Sequence, residues 1–78
     1  MSNSALSKDE IIKLLDKLEK QKIITPLQKH ILLSSVFYNQ SLKQIANTLG
    51  LSYENIRQKK SRSVKRIKEY LKKIELLG

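Results

Sequence analysis

The segment from Ser41 to Ile67, SLKQIANTLGLSYENIRQKKSRSVKRI, leaves the backbone few ways to run. Ile45, Ala46 and Leu49 recur at helical spacing on one face. Gly50 follows the last of them, where a helix end takes a residue that tolerates positive φ. Leu51 then supplies an apolar plug, Ser52 a hydroxyl able to cap a new helix, and Ile56 the first buried position of that helix. Ala46 is small where the second helix has to cross closely. The segment therefore reads as a short helix, a tight turn and a longer helix: a helix-turn-helix. The outer face of the longer helix is rich in Lys, Arg and Gln, and such a pair can set one helix in the major groove of DNA.

Capping chemistry marks the other helix starts. Ser7 with Glu10 is a capping-box pattern, opening a helix with Ile11, Leu14, Leu15 and Leu18 on one face. Thr25, Pro26 and Gln28 supply a hydroxyl cap, a Pro at the first helical position and an amide three residues after the cap. That helix is expected to reach about Phe37 and to turn Leu27, Ile31, Val36 and Phe37 inward. Ser41 with Gln44 repeats the box for Leu42 through Leu49. Ser52 opens the last helix, uninterrupted to about Leu77, with Ile56, Val64, Ile67, Leu71 and Ile74 as its buried stripe. Lys60 falls inside that stripe, so its stem is expected along the core with the ammonium in water. The expected fold is all-α, a small four-helix domain with a long C-terminal recognition helix. It is one domain over 1–78: an N-terminal helix in 1–24, an upstream helix in 25–40, the helix-turn-helix in 41–69 and an apolar C-terminal extension in 70–78. Leu71, Ile74 and Leu77 either fold back on the first helix, covering Ile11, Leu15 and Leu18, or pair with another chain. Fold-back, and hence a monomer, is the expectation, because both surfaces need covering.

A chain of 78 residues has too little apolar area for both a stable core and a roomy internal pocket. It has no Cys, which removes disulfides and thiolate metal sites. No apolar run approaches the roughly 20 residues that span a bilayer, and MSNSAL lacks the basic-then-apolar profile of a secretory signal. A soluble, cytoplasmic protein without a membrane partner is expected. Charge is lopsided. Residues 1–39 hold six Lys against four acids, whereas residues 40–78 hold ten Lys or Arg against three Glu. The positive field lies on the half with the helix-turn-helix, which points to a polyanion partner. The basic run Lys59, Lys60, Arg62, Lys65, Arg66 and Lys68 is its centre. Catalysis has little to work with. One histidine, His30, lies beside Leu27 and Ile31, and Asp9, Glu10, Asp16 and Glu19 suit the dipole and lysines of their own helix. No enzyme activity, cofactor or metal is expected.

The run LKQIANTLGLSYENIRQKKSRSVKRIKEYL, preceded by TPLQKHILLSSVFYNQ, resembles region 4 of bacterial sigma factors, the domain that recognises the −35 promoter element. The resemblance implies double-stranded promoter DNA as a partner, in a bacterial or phage-encoded protein. Tyr53, Glu54, Arg57 and Gln58 occupy the slots through which that family touches bases. The polar three suit base reading, since a Glu carboxylate accepts from cytosine, Gln pairs with adenine, and Arg grips guanine or a phosphate. Tyr53 departs from the Arg usual in primary sigma factors, which puts recognition of the usual −35 consensus in question. Leu42 through its backbone N–H, with Lys43, Ser52, Arg62, Lys65 and Arg66, corresponds to phosphate contacts. Region 4 also docks on the β flap of RNA polymerase core, and Ile31, Leu33 and Phe37 are the candidates for that surface. The aromatic-rich module that binds the polymerase clamp and melts the −10 element has no counterpart in these residues. The resemblance therefore implies a free-standing or split sigma-like subunit working with a separate melting subunit, a fragment of a longer factor, or a small regulator, with an anti-sigma-like regulator as a further candidate partner. Two alternatives remain. One is an interaction module that binds polymerase or a regulator without specific DNA affinity. The other is a dimeric LuxR-like regulator joined through the apolar tail.

Overall fold

The structure, a computed structural model, describes residues 7–77. Four helices follow one another: α1 (Lys8–Lys20), α2 (Pro26–Val36), α3 (Leu42–Leu49) and α4 (Tyr53–Leu77). Residues 1–6, Gly78 and the side chain of Leu77 lie outside the described residues, and with them that part of the fold-back expectation.

Each of the first three helices opens on a reciprocal capping box. Ser7 Oγ accepts from Glu10 N–H at 3.2 Å while the Glu10 carboxylate accepts from Ser7 N–H at 2.8 Å. Thr25 and Gln28 repeat this for α2, and Ser41 and Gln44 for α3. Two orphan N–H groups are satisfied at each start, so each of these helices begins at a residue fixed by side-chain chemistry. Gln28 does more: its carboxamide oxygen caps α2 and its N–H donates to the Lys59 carbonyl at 3.4 Å, tying α2 to α4. The connections are tight. Lys22 takes a left-handed φ of 63° beyond α1, and Asn39 a φ of 51° between α2 and α3, the latter a residue that tolerates that region.

α2 stands between two apolar clusters. Leu32 joins Leu15, Leu18 and Ile24 in the first, against Val64, Ile67 and Tyr70 of α4. Ile31 joins Ile45, Ala46 and Ile56 in the second, with Leu27, Leu49 and Leu51 around them. α4 thus serves both: its first turns hold the helix-turn-helix, and its middle covers α1 and α2. Ser63 is wholly buried at the junction, with its hydroxyl donating to the Lys60 carbonyl at 2.7 Å. Lys60 is half-buried, as its place in the stripe predicts.

Three expectations change. Val36 is 55% exposed, because α2 reaches its last turn after leaving the cluster formed by Ile31 and Leu32. Phe37 is half-buried, not core, and the Lys8 ammonium lies 5.7 Å from its ring centre and 5.2 Å from that of Tyr38. The fold-back does not occur among the described side chains: Leu71 is 44% and Ile74 45% exposed. α1 is already covered by Val64, Ile67 and Tyr70, which precede them along α4. No Gly or Pro breaks α4, so its end carries straight on past the surface that its middle has filled.

Candidate nucleic-acid interface

The turn between α3 and α4 fixes how the two helices cross. Gly50 sits at φ 69° and ψ 29°, and the N–H of Leu51 bonds back to the Ala46 carbonyl at 3.0 Å. Leu51 is drawn half inside by the second cluster, and Ser52 Oγ accepts from Asn55 N–H at 3.1 Å, starting α4. Wholly buried Ile45 pins α3 and wholly buried Ile56 pins the first turns of α4. Anchored from below, those turns present Tyr53, Glu54, Arg57 and Gln58 to solvent, all exposed and on one side of the helix.

Glu54 and Arg57 hold each other. Arg57 Nε donates to Glu54 Oε1 at 3.1 Å and a second guanidinium nitrogen donates to Oε2. The guanidinium, aided by Gln58, keeps the Glu54 carboxyl below the usual glutamate range. Both groups are in water, so the pair is weakly held and able to exchange its partner for a base or a phosphate. One turn of helix thus carries an acceptor, a donor fork and an amide with both capacities, the set that distinguishes base edges in the major groove.

The residues expected at phosphates gather beside this row. Leu42 is the first residue of α3, a position whose N–H a helix leaves without an internal acceptor. Lys43, Ser52, Arg62, Lys65 and Arg66 are exposed. Between the start of α3 and the flank of α4 lies an open groove of about 520 Å³, where Leu42, Arg57, Lys60, Lys65 and Lys68 meet with Glu69 as the lone acid. Lys60 and Lys68 belong to the basic run but not to the expected phosphate set. Lys60 reaches this groove because its stem follows the core while its head leaves it. The ion pairs among the described residues occupy Arg57 and Lys29 alone of the cations, so the lysines of this groove are held in none of them.

Other candidates separate by burial. Ile31 is wholly buried in the second cluster and has no surface to offer a polymerase; the expectation for it is withdrawn. Leu33 is half-buried against the first cluster and Phe37 half-buried beneath Lys8, so both retain an outer edge. Asp16 and Glu19 pair with Lys29 across α1 and α2, Glu19 at 3.3 Å, and the bond to Asp16 raises the Lys29 ammonium above its ordinary pKa. No cluster of three or more His, Cys, Asp or Glu able to hold a metal occurs among the described residues. No described helix is long and apolar enough to cross a membrane.

The family described as Sigma-70, region 4 matches residues 22–69, from the turn before α2 to the last turns of α4 that touch the core. No curated protein and no solved structure matches the chain. The match takes in more than half of the sequence and every residue of the exposed row and its basic flank, and the chain belongs to the sigma-70 region 4 family of DNA-binding helix-turn-helix domains.

Proposed function

We propose that this protein is a transcription factor that reads a promoter −35-like element and acts together with RNA polymerase. The observation that carries the reading is the row Tyr53, Glu54, Arg57 and Gln58, exposed on the first turns of a helix whose other side is locked by Ile56. In this reading those four meet base edges. The N–H of Leu42, with Lys43, Ser52, Arg62, Lys65 and Arg66, fixes register on the phosphates. Arg57 leaves Glu54 on binding and takes guanine or a phosphate, which frees the Glu54 carboxylate to accept from cytosine. Tyr53 offers an apolar ring to a thymine methyl in place of a cationic fork, so the preferred element departs from the primary-sigma consensus. Residues 41–69 do the reading and 25–40 support them. The outer edges of Leu33 and Phe37 face the β flap, and promoter melting falls to another segment or subunit.

Selection of bound duplexes from a random pool, with and without core polymerase, tests this directly. An enriched −35-like sequence is expected, sharpened when polymerase is present. Gln58→Ala should relax one adenine-bearing position by about 1–3 kcal/mol, and Glu54→Ala should change preference at a neighbouring one. A pool that stays random in both arms defeats the reading and favours a module that binds proteins only. The exposure of Leu71 and Ile74 supports a second reading, a dimeric LuxR-like regulator joined through the end of α4. A clean monomer in sedimentation at micromolar concentration retires it.

A further inference from the structure

Beyond Glu69 the chain carries charge and apolar surface for which DNA has no use. At about 1.5 Å per residue, Lys72 and Lys73 stand roughly 28–30 Å along α4 from Tyr53, whereas the major groove is only about 8.5 Å deep. They lie about 9–10 Å past Arg66, the last residue of the phosphate set, which exceeds the roughly 8 Å Debye length at physiological salt. Here α4 passes Ile23, in the turn between α1 and α2, and the two enclose an open groove of about 550 Å³. Ile23 and Tyr70 form its apolar floor and both continue into the first core cluster. Leu76, 79% exposed, lines it too, and Arg66, Lys72 and Lys73 bring three cations to it against one acid, Glu69.

The charge of the lining chooses the occupant. A second copy docked by two-fold symmetry would set this patch against itself, bringing Arg66, Lys72 and Lys73 of both chains together. A polar duplex gains nothing from an Ile–Tyr–Leu floor. A helix with apolar residues at three- and four-residue spacing and carboxylates on its flanks matches both features, the stripe seating on Ile23, Tyr70 and Leu76 and the acids meeting the lysines. We propose that the groove between Ile23 and the end of α4 is a docking site for an acidic amphipathic helix of a partner protein. The site stands apart from promoter reading, since Arg66 alone is shared with the DNA-contacting set.

The test uses the full chain and two fluorescent synthetic helices with the same Leu and Ile stripe, one flanked by Glu and the other by Lys. Anisotropy at physiological salt should give micromolar binding of the Glu-flanked helix and about tenfold weaker binding of its twin. The double variant Lys72→Glu, Lys73→Glu should reverse that order. Leu76→Ser should weaken the Glu-flanked helix several-fold while leaving circular dichroism and DNA affinity unchanged, so that failure here and failure of the promoter reading show separately. Equal binding of the two helices, or none, overturns the proposal. So does indifference to the charge reversal. A dimer formed without peptide, and abolished by Leu76→Ser, would instead assign the groove to a second copy. Binding to anionic vesicles that the Glu-flanked helix fails to displace would assign it to a lipid surface. Either result overturns the proposal.

Discussion

Replacing Lys65 and Arg66 together by Ala puts the phosphate-binding surface to a quantitative test. Four cationic side chains, Lys43, Arg62, Lys65 and Arg66, belong to the phosphate set, and none is held in an ion pair among the described residues. If each neutralises one phosphate, the logarithm of the binding constant falls with that of salt at a slope of about −3.6, at roughly −0.9 per phosphate on B-DNA. Affinity then drops roughly 150-fold between about 50 and 200 mM salt. Removing two contacts halves the slope to about −1.8 and reduces the loss to about 12-fold. Arg57 is left out of this count because, on leaving Glu54, it can take guanine instead of a phosphate; where it takes a phosphate, both slopes steepen by about 0.9. Fluorescence anisotropy on a labelled duplex, repeated across that salt range, measures both slopes. The loss should be equal for matched and unrelated duplexes, because phosphates carry no sequence. Lys72→Ala with Lys73→Ala, beyond the phosphate set, should leave the slope within error of the parent. An unchanged slope in the Lys65, Arg66 variant, or a parent slope flatter than about −2, would refute the counting and with it the assignment of this face to DNA.

The remaining predictions concern the scaffold. Gly50→Ala meets no atom within 4 Å of the new Cβ, so its cost is that of a left-handed Ala, about 1–2 kcal/mol, and Gly50→Asn should cost less because Asn enters that region more readily. Urea midpoints at constant m-value read the difference, and a neutral Gly50→Ala would contradict the turn geometry. Ile56→Ala removes a wholly buried side chain between α2, α3 and α4 and should cost about 2–5 kcal/mol. Ile74→Ala on the free end of α4 should stay within about 0.5 kcal/mol; comparable losses of melting temperature in the two would mean that the end of α4 is packed. The Ser7 N–H bonded to the Glu10 carboxylate lowers that group below the usual glutamate value of 4.5. Folded protein therefore binds fewer protons than unfolded at this site. The stability it confers is present above pH 4.5 and lost as pH falls through the lower folded value. Acid unfolding of Glu10→Gln should lack that share of the pH dependence, and an identical acid limb in the two proteins would count against the capping box.

Helix starts were legible because each is written in local chemistry that nothing distant overrides. Ser7–Glu10, Thr25–Gln28 and Ser41–Gln44 act over three residues, and each box forms where the sequence places it. Gly50 belongs to the same class, since a left-handed turn after a short apolar-faced helix admits few other residues. The exposed row of the interface followed in turn, because fixing Ile56 inward fixes Glu54, Arg57 and Gln58 outward. What escaped depends on neighbours that periodicity does not reveal. Ile24 is buried from within a turn, where no period exists to mark it. Ser63 is buried with its hydroxyl satisfied by the Lys60 carbonyl, and a polar letter in the stripe looks like an interruption. Ile31 and Leu33 are alike in size and hydropathy, yet one is sealed between α2, α3 and α4 and the other keeps an edge.

The end of α4 shows why. A stripe repeated at three and four residues states which side of a helix is apolar, and Val64, Ile67, Leu71 and Ile74 keep one such side throughout. It does not state where the body beneath that side stops. Covering α1 takes a fixed length of α4, and Val64, Ile67 and Tyr70 supply it. Leu71 and Ile74 continue the pattern after the surface it serves has ended. Two explanations of such a surplus differ in what they require of its flanks. A stripe extended merely to keep a helix regular has no need of cations gathered beside it. A stripe extended to receive another helix requires charges at its border that select the arriving one, and by helical spacing Lys72 flanks Leu71 and Lys73 flanks Ile74. Leu71→Ser with Ile74→Ser therefore separates the explanations: it leaves peptide binding untouched under the first, with the groove of Ile23, Tyr70 and Leu76 holding the peptide alone, and weakens it under the second.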